Sequence, residues 1–243
     1  MAVVDYEISL NHKTTLKLKG GRHMPFGKHL IEARSLMGII RYQNKFCFKE
    51  RSVAEHMWSV AKIAQGLAIW EKHKFLHSVD MGVVLEKAIN HDMIEQCTGD
   101  ILGPTKKRTP AMIAAIEEIE ELAFTEEIAP DLPKSWREPF KNLILNPKTP
   151  DIEGQIIRAA DIIDTIIEAI EEIQLGNERF RKVLIDSAEA LIKLDLDSVR
   201  YFVKYALIDF DLDMDTYFGP KVQAFRESLH FDEEVFRRGY NEA

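Results

Sequence analysis

Apolar residues recur at intervals of three and four along nearly the whole chain after Gly27, and glycine and proline fall mainly between these stretches. This spacing gives an α-helix one apolar face, whereas a half-buried strand would alternate residue by residue. The pattern predicts an all-α fold. The predicted helices cover residues 28–41, 52–71, 80–97, 110–126, 134–146, 151–175, 178–194, 196–209, 214–229 and 232–240.

Two of these helices carry recognisable end signals. Ser52 stands three residues before Glu55, which is the spacing of a capping box at a helix N-terminus. Asp151 follows Pro150 and opens the long helix that Gly176 closes. Local chemistry therefore fixes the helix ends at these positions.

The first 27 residues differ from the rest of the chain. Apolar residues alternate with polar ones over short stretches between residues 5 and 19, and Gly20 and Gly21 follow. This is typical of a small β-hairpin. We predict an N-terminal extension over residues 1–27 and a single helical domain over residues 28–243.

The charge balance limits the partners of the chain. The formal net charge of −8 disfavours a long nucleic acid, which requires many clustered basic residues. A small phosphate compound needs only a local basic patch, for which Arg41, Arg51 and residues 106–108 are candidates.

The sequence also bears on the compartment. No apolar run approaches the roughly 18 residues of a membrane span, so no membrane partner is expected. The first ten residues lack the basic start and apolar stretch of a secretory signal, which favours the cytoplasm. Cys47 and Cys97 show no CxxC spacing and are expected to stay reduced.

Ionisable side chains interrupt the apolar stripes of three predicted helices, where burial without a partner would cost several kcal/mol. One such side chain stands between Val53 and Val60, two stand shortly after Ala88, and one stands just before Ile163. These residues are His56, His91, Asp92 and Asp161. Taken singly, each could be a satisfied core group.

Taken together, two imidazoles and two carboxylates without a thiolate suit one divalent ion such as Mn²⁺, Co²⁺, Mg²⁺, Fe²⁺ or Zn²⁺. On an octahedral ion, four protein ligands leave room for a nucleophilic water and a phosphate oxygen. Glu95, one turn beyond His91, would orient or deprotonate that water. The set predicts metal-assisted hydrolysis of a phosphoester.

Several short strings occur in a characteristic order. They are AlaGluHis at 54–56, HisAsp at 91–92, ThrGlyAsp at 98–100 and AlaAsp at 160–161. In this order they resemble the HD-domain phosphohydrolases. An arginine at position 41 followed by an aromatic residue, and ProThrLys at 104–106, are most similar to the bacterial 5′-deoxynucleotidases, the YfbR-like group.

The resemblance covers about residues 30–195 and implies an HD-domain helical bundle, with extra C-terminal helices over about 196–243. It implies hydrolysis of a 2′-deoxynucleoside 5′-monophosphate to deoxynucleoside and phosphate. It also implies catalytic roles for Glu95 and Asp100. The residues implied to contact the substrate are Arg41, at the phosphate, with Tyr42, Thr98 and Lys106. A homodimer is expected from the resemblance alone.

Tyr42 stands where the deoxynucleotidases carry a tryptophan beside the sugar. A smaller ring leaves two outcomes open, namely a retained preference for 2′-deoxynucleotides, which we favour, and acceptance of ribonucleotides.

Three other functions remain open at this point. Lys106, Lys107 and Arg108 carry enough charge for a nucleoside triphosphate, so a triphosphate phosphohydrolase is the first alternative. The second is a non-catalytic module that binds nucleotide or metal, whose signature would be the loss of a ligand or of Glu95. The third is a purely structural helical protein, which a metal assay on the purified protein would distinguish.

Overall fold

The computed structural model describes residues 26–238, so the hairpin predicted between residues 5 and 19 lies outside the described residues. Within that range the chain is helical, and its sole β-pairing is an isolated antiparallel bridge between Ile40 and Ser52. The predicted all-α fold is confirmed. No helix in residues 26–238 is both long and apolar enough to cross a bilayer.

The described residues form thirteen α-helices with short 3₁₀ and π segments at several of their ends. The α-helices are α1 (Phe26–Ala33), α2 (Val53–Ile69), α3 (Met81–Ala88), α4 (Glu95–Thr98), α5 (Gly103–Lys106), α6 (Pro110–Ala123), α7 (Arg137–Leu145), α8 (Ile152–Gln174), α9 (Arg181–Leu191), α10 (Asp197–Tyr201), α11 (Met214–Tyr217), α12 (Pro220–Ser228) and α13 (Glu233–Arg237). The 3₁₀ segments are Arg34–Met37, Ala129–Asp131, Lys134–Trp136, Glu178–Phe180 and Leu207–Phe210, and the π segments are Trp70–Lys74, Phe124–Ile128 and Phe202–Ala206.

The long helix α8 is the centre of the larger core. It packs against α2, α3 and α9, and its apolar positions Ile157, Ile163 and Ile166 are fully buried. The helix starts at the predicted position because the Asp151 side chain accepts a hydrogen bond from the Gly154 N–H at 2.7 Å. A well-anchored helix in the core is a rigid support for the polar residues along its face.

A smaller apolar cluster lies at the other end of α2. Val53 and Met57 of α2 pack there with Ile94, Phe124 and residues around them, whereas Val60 and the following turns of α2 belong to the larger core. The capping box predicted for α2 is present, since the Ser52 and Glu55 side chains each bond the other's backbone N–H. Helix α2 therefore joins the two clusters, and His56 lies at their boundary.

The prediction of one continuous helix over 80–97 was wrong. Helix α3 ends at Ala88, and tight turns carry the chain to α4 at Glu95. The reason lies in side chains that compete for helix carbonyls. Asn90 Nδ2 donates to the Glu86 carbonyl oxygen at 2.8 Å, and His91 Nδ1 donates to that of Ala88 at 2.8 Å.

Other predicted helix limits also need correction. The helix predicted over 28–41 ends as a 3₁₀ turn at Met37. The helix predicted over 214–229 is split, because Gly219 takes a positive φ of 79° and Pro220 opens α12. The short helix α5 was not predicted.

Candidate metal centre and active site

Three separate elements bring the four predicted metal ligands together. His56 comes from α2, His91 and Asp92 from the turn after α3, and Asp161 from α8. His56 Nε2 lies 3.3 Å from Asp92 Oδ2, 3.3 Å from Asp161 Oδ1 and 3.2 Å from His91 Nε2, and His91 Nε2 lies 3.2 Å from Asp92 Oδ2. Ligands about 2.1 Å from one ion stand roughly 3.0–3.4 Å apart in octahedral or tetrahedral geometry. The donor atoms of His56, His91 and Asp92 all lie within 4.8 Å of one another and therefore fit a shared metal ion, and Asp161 approaches this group at His56 Nε2.

The hydrogen bonds of the two histidines also fit a metal. His56 Nδ1 lies 2.6 Å from Asp164 Oδ2, and His91 Nδ1 lies 2.8 Å from the Ala88 carbonyl oxygen. Both partners are acceptors, so each Nδ1 is a donor and each Nε2 is directed into the cluster. Two Nε2 atoms facing each other among carboxylates require a positive charge between them. Burial and Arg41 oppose protonation, but Asp161, Asp164 and Asp92 raise the pKa of His56 well above its ordinary value.

Asp164 is a site residue that the sequence prediction missed. It lies one turn beyond Asp161 on α8 and is only 3% exposed. One of its oxygens accepts from His56, and the other accepts a short hydrogen bond from the Ser59 hydroxyl. A carboxylate three residues after a predicted ligand shares its helix face, and that spacing was the available signal.

Lys148 was also missed, and it lies in the loop before α8. Its Nζ donates to Asp161 Oδ2 at 2.5 Å. Burial opposes ionisation of Asp161, but Lys148 and His56 hold its pKa well below the ordinary range. Lys148 lies in a loop, and its partner Asp161 lies inside the next helix. No periodic pattern in the sequence marks such a pair, so Lys148 was not predicted.

Glu95 stands at the first turn of α4, next to the cluster. Only 5% of it is exposed, and its Oε2 has no hydrogen-bond partner in the described part of the chain. Burial, followed by the charges of Asp92 and Asp100, raises the pKa of Glu95 to about 9. An unpartnered buried carboxylate of this kind can take a proton from a water molecule.

Arg41 and Tyr42 lie on the loop before α2. The Arg41 Nε and Nη2 atoms donate to Glu168 Oε2 at 3.3 and 3.1 Å. Tyr42 has a φ of 56°, and its backbone N–H donates to Asp100 Oδ2 at 3.1 Å. Asp100 thus holds the loop that carries Arg41.

The Tyr42 ring packs edge-on against Phe180, with 5.3 Å between centroids. Its hydroxyl is buried beside the side chains of Arg41 and Glu168. Burial, and then the Glu168 charge, raise the pKa of Tyr42 well above its ordinary value.

Three cavities border these residues, and the one of about 760 Å³ is lined by His56, Asp164, Glu168 and neighbouring residues. A second of about 410 Å³ is lined by His91, Asp92, Lys106, Lys148 and neighbouring residues. A third of about 460 Å³ is lined by Arg41, Tyr42 and the loop after them. Arg41 is close enough to the proposed metal ligands to experience the charges of Asp161 and Asp92.

The other predicted substrate residues have local partners. Lys106 Nζ lies 3.1 Å from Glu120 Oε1 and 4.0 Å from Glu95 Oε1. The Thr98 hydroxyl donates to the Gly99 carbonyl oxygen at 3.1 Å. Gly99 has a positive φ of 72°, and this turn carries the chain to Asp100.

The sequence and fold were compared with known proteins. A family profile described as 5′-deoxynucleotidase YfbR-like matches residues 29–210. A 5′-deoxynucleotidase of Vibrio vulnificus is 28% identical over 186 residues, which are 76% of this chain and 91% of that protein.

Two solved structures share the fold. An HD-domain phosphohydrolase from Listeria innocua superimposes with a TM-score of 0.73 and 28% identity, covering 83% of this chain and 98% of the other. A cyanophage S-2L HD phosphohydrolase, bound to dA and one catalytic Zn²⁺ ion, gives a TM-score of 0.51 at 17% identity, with 74% and 93% of the two chains covered. The resemblance found in the sequence motifs is confirmed, and the family match extends beyond the predicted residue 195 into the C-terminal helices. This chain is a hydrolase of the HD-domain type and belongs to the 5′-deoxynucleotidase YfbR-like family.

Proposed function

We propose that this chain hydrolyses 2′-deoxynucleoside 5′-monophosphates to deoxynucleoside and inorganic phosphate in the presence of a divalent metal ion. The observation that carries the proposal is the convergence of His56, His91, Asp92 and Asp161, with neighbouring donor atoms 3.2–3.3 Å apart, in a chain of the YfbR-like family. Members of that family are named for this activity.

These four residues would hold the metal. When bound, a divalent ion supplies Lewis-acid chemistry, since it polarises a phosphate oxygen and makes a water more acidic. Asp164 and the Ala88 carbonyl oxygen keep each imidazole in the tautomer that directs Nε2 inward. Lys148 holds one oxygen of Asp161, so that the other remains directed at the cluster.

Glu95 orients the attacking water and takes its proton. Its carboxylate is buried beside Asp92, and its free Oε2 can accept a hydrogen bond from a water without breaking another contact. A cation near Asp92 would offset the negative charges that raise the Glu95 pKa, and so would return Glu95 to the anionic form of a base. Asp100 supports the same site by fixing the backbone of Tyr42.

Arg41 binds the phosphate of the substrate through a planar pair of N–H donors. The local charge favours a monophosphate over a triphosphate. The two lysines that line the cavity beside His91 and Asp92 are already paired, Lys106 with Glu120 and Lys148 with Asp161. Each additional phosphate would need positive charge that these pairs do not provide.

A phosphate-release screen tests the proposal. Matched deoxy- and ribonucleoside mono-, di- and triphosphates are offered to the purified chain with Mn²⁺, Co²⁺, Mg²⁺, Fe²⁺ or Zn²⁺. We expect the largest kcat/KM for a deoxynucleoside monophosphate, and neither turnover nor retained metal for Asp161→Ala, because three ligands cannot replace the set of four. Faster release from triphosphates would favour the alternative substrate class. If no phosphate is released with any of these metals, the proposal is refuted.

A further inference from the structure

Glu168 is a buried carboxylate outside the four proposed metal ligands, and its carboxylate lies within 4.8 Å of ligand atoms of His56 and Asp164. It lies two turns beyond Asp161 on the same face of α8 and is 2% exposed. Its Oε2 accepts both hydrogen bonds from Arg41. Burying two charges costs desolvation that the pair alone often fails to recover, so its geometry calls for a functional explanation.

The contact engages only part of the guanidinium. Nε and Nη2 converge on a single oxygen, and Nη1 does not donate to Glu168. An arginine has five N–H donors in a rigid plane, so the edge formed by Nη1 and Nη2 keeps donors for another anion. That edge is the fork which binds phosphate in a bidentate manner.

The backbone around Arg41 is fixed as well. The Arg41 N–H donates to the Arg51 carbonyl oxygen at 2.9 Å, and the next N–H, that of Tyr42, donates to Asp100 at 3.1 Å. The Arg41 side chain is largely buried, with 11% of it exposed. With the backbone and one edge of the guanidinium held, little freedom remains to be lost when a ligand binds the other edge.

We propose that Glu168 is a positioning residue that presents Arg41 to the phosphate of the substrate. The proposal rests on the proposed function, since it takes Arg41 as the phosphate ligand. It predicts that loss of Glu168 weakens phosphate binding more than it slows turnover. A carboxylate that merely competes with phosphate for Arg41 would have the opposite effect, because its removal would tighten binding.

Inorganic phosphate is the probe, titrated by calorimetry into the full chain loaded with Mn²⁺. We expect Glu168→Ala to weaken phosphate binding and raise KM about tenfold, the scale of one charge-assisted contact, with a smaller change in kcat. Glu168→Gln keeps an acceptor oxygen and should recover most of the affinity. In an Arg41→Ala background, Glu168→Ala should add little, because its effect passes through Arg41.

Glu172→Gln is the matched control. Glu172 lies one turn further on the same face, is 1% exposed, and accepts the backbone N–H groups of Phe48 and Lys49 without contacting Arg41. Its effect on phosphate affinity should be the same with and without Arg41. If Glu168→Ala fails to fold, as thermal melting would show, the Glu168→Gln variant is compared in both backgrounds, and its smaller loss should again require Arg41.

Three results would overturn the proposal. They are unchanged or tighter phosphate binding by Glu168→Ala, an equal loss in the Arg41→Ala background, and phosphate binding that does not depend on Arg41. Failure of the proposed function is a separate result, because a wild type that releases phosphate from no nucleotide can still be titrated with inorganic phosphate.

Discussion

At the scale of single residues, His56 is oriented by contacts outside the metal set. Its Nδ1 donates to Asp164 at 2.6 Å, and the Asp164 carboxylate is itself held by the Ser59 hydroxyl. Such carboxylate–histidine pairs fix the ring orientation and raise the basicity of the coordinating nitrogen. Metal affinity should therefore depend on Asp164, although Asp164 is outside the proposed ligand set.

We expect Asp164→Ala to weaken metal binding about 10- to 100-fold, as is usual for partners of coordinating histidines. A metal titration followed by calorimetry measures this. Ser59→Ala is the control, since it removes one bond to Asp164 but leaves the carboxylate on His56, and its loss should be smaller. Equal metal affinity in Asp164→Ala and wild type would show that α2 packing alone orients His56.

Glu95 should separate catalysis from metal binding. We expect Glu95→Ala to retain metal and phosphate affinity but to turn over at least about a hundredfold more slowly, the scale of a positioned acid or base. Parallel measurements of bound metal and of kcat check both parts. Loss of the metal in this variant would make Glu95 a ligand and would invalidate the role proposed for it.

At the scale of elements, α8 organises the site through one acidic face. Asp161, Asp164, Glu168 and Glu172 follow at helical spacing. The first two contact His56, Glu168 accepts from Arg41, and Glu172 accepts from the backbone N–H of Phe48. The ends of α8 and α2 were predictable because capping residues act locally. The break after α3 was not, since it depends on side chains of Asn90 and His91 that reach back to helix carbonyls.

The same contrast applies to the site itself. His56 and Asp161 were recognisable as polar residues within apolar stripes, and the structure brings them together with His91 and Asp92. Helical spacing from Asp161 would also have indicated Asp164, but not its partner. Lys148 could not be found, because its position depends on how a loop folds over the start of α8 and not on any period in the sequence.

The N-terminus of α8 should make stability depend on pH. Burial opposes ionisation of Asp151, but bonds from Thr149, the Gly154 N–H and Lys87 lower its pKa to about 2. The ordinary pKa of an aspartate is about 3.9. Because the folded-state pKa is the lower one, the charged form stabilises the fold above about pH 4, and this contribution is lost as the pH falls towards 2.

Asp151→Asn keeps a capping oxygen and removes only the charge. We expect the denaturant midpoint of the variant to lie below that of wild type at pH 6, and the two to converge as the pH falls from 4 towards 2. Urea unfolding at several pH values measures this difference. A difference that stays constant across that range would show that the charge of Asp151 does not contribute.

At the scale of the whole molecule, the candidate metal centre lies where the two apolar clusters meet. Asp161 belongs to α8 in the larger core, whereas Asp92 directly precedes Met93 and Ile94 of the smaller cluster. His56 stands between them on α2. A cation bound by all three would link elements that otherwise meet through α2 and its neighbours, so metal binding should stabilise the fold as a whole.

Linkage sets the size of that effect, because a ligand that binds only the folded state stabilises it by about 2.7 kcal/mol at a hundred times its Kd. For a chain of this size, 1 kcal/mol shifts Tm by roughly 2–4 °C. Chelating a metal that was present at about a hundred times its Kd should therefore lower Tm by about 5–11 °C. Thermal melting with and without EDTA measures the shift, and re-addition of metal should restore it. Asp161→Ala is the control, and its Tm should not respond to metal, since the set of ligands is incomplete. A wild-type Tm that is indifferent to EDTA, or an equal response in Asp161→Ala, would place the stabilising ion elsewhere in the protein.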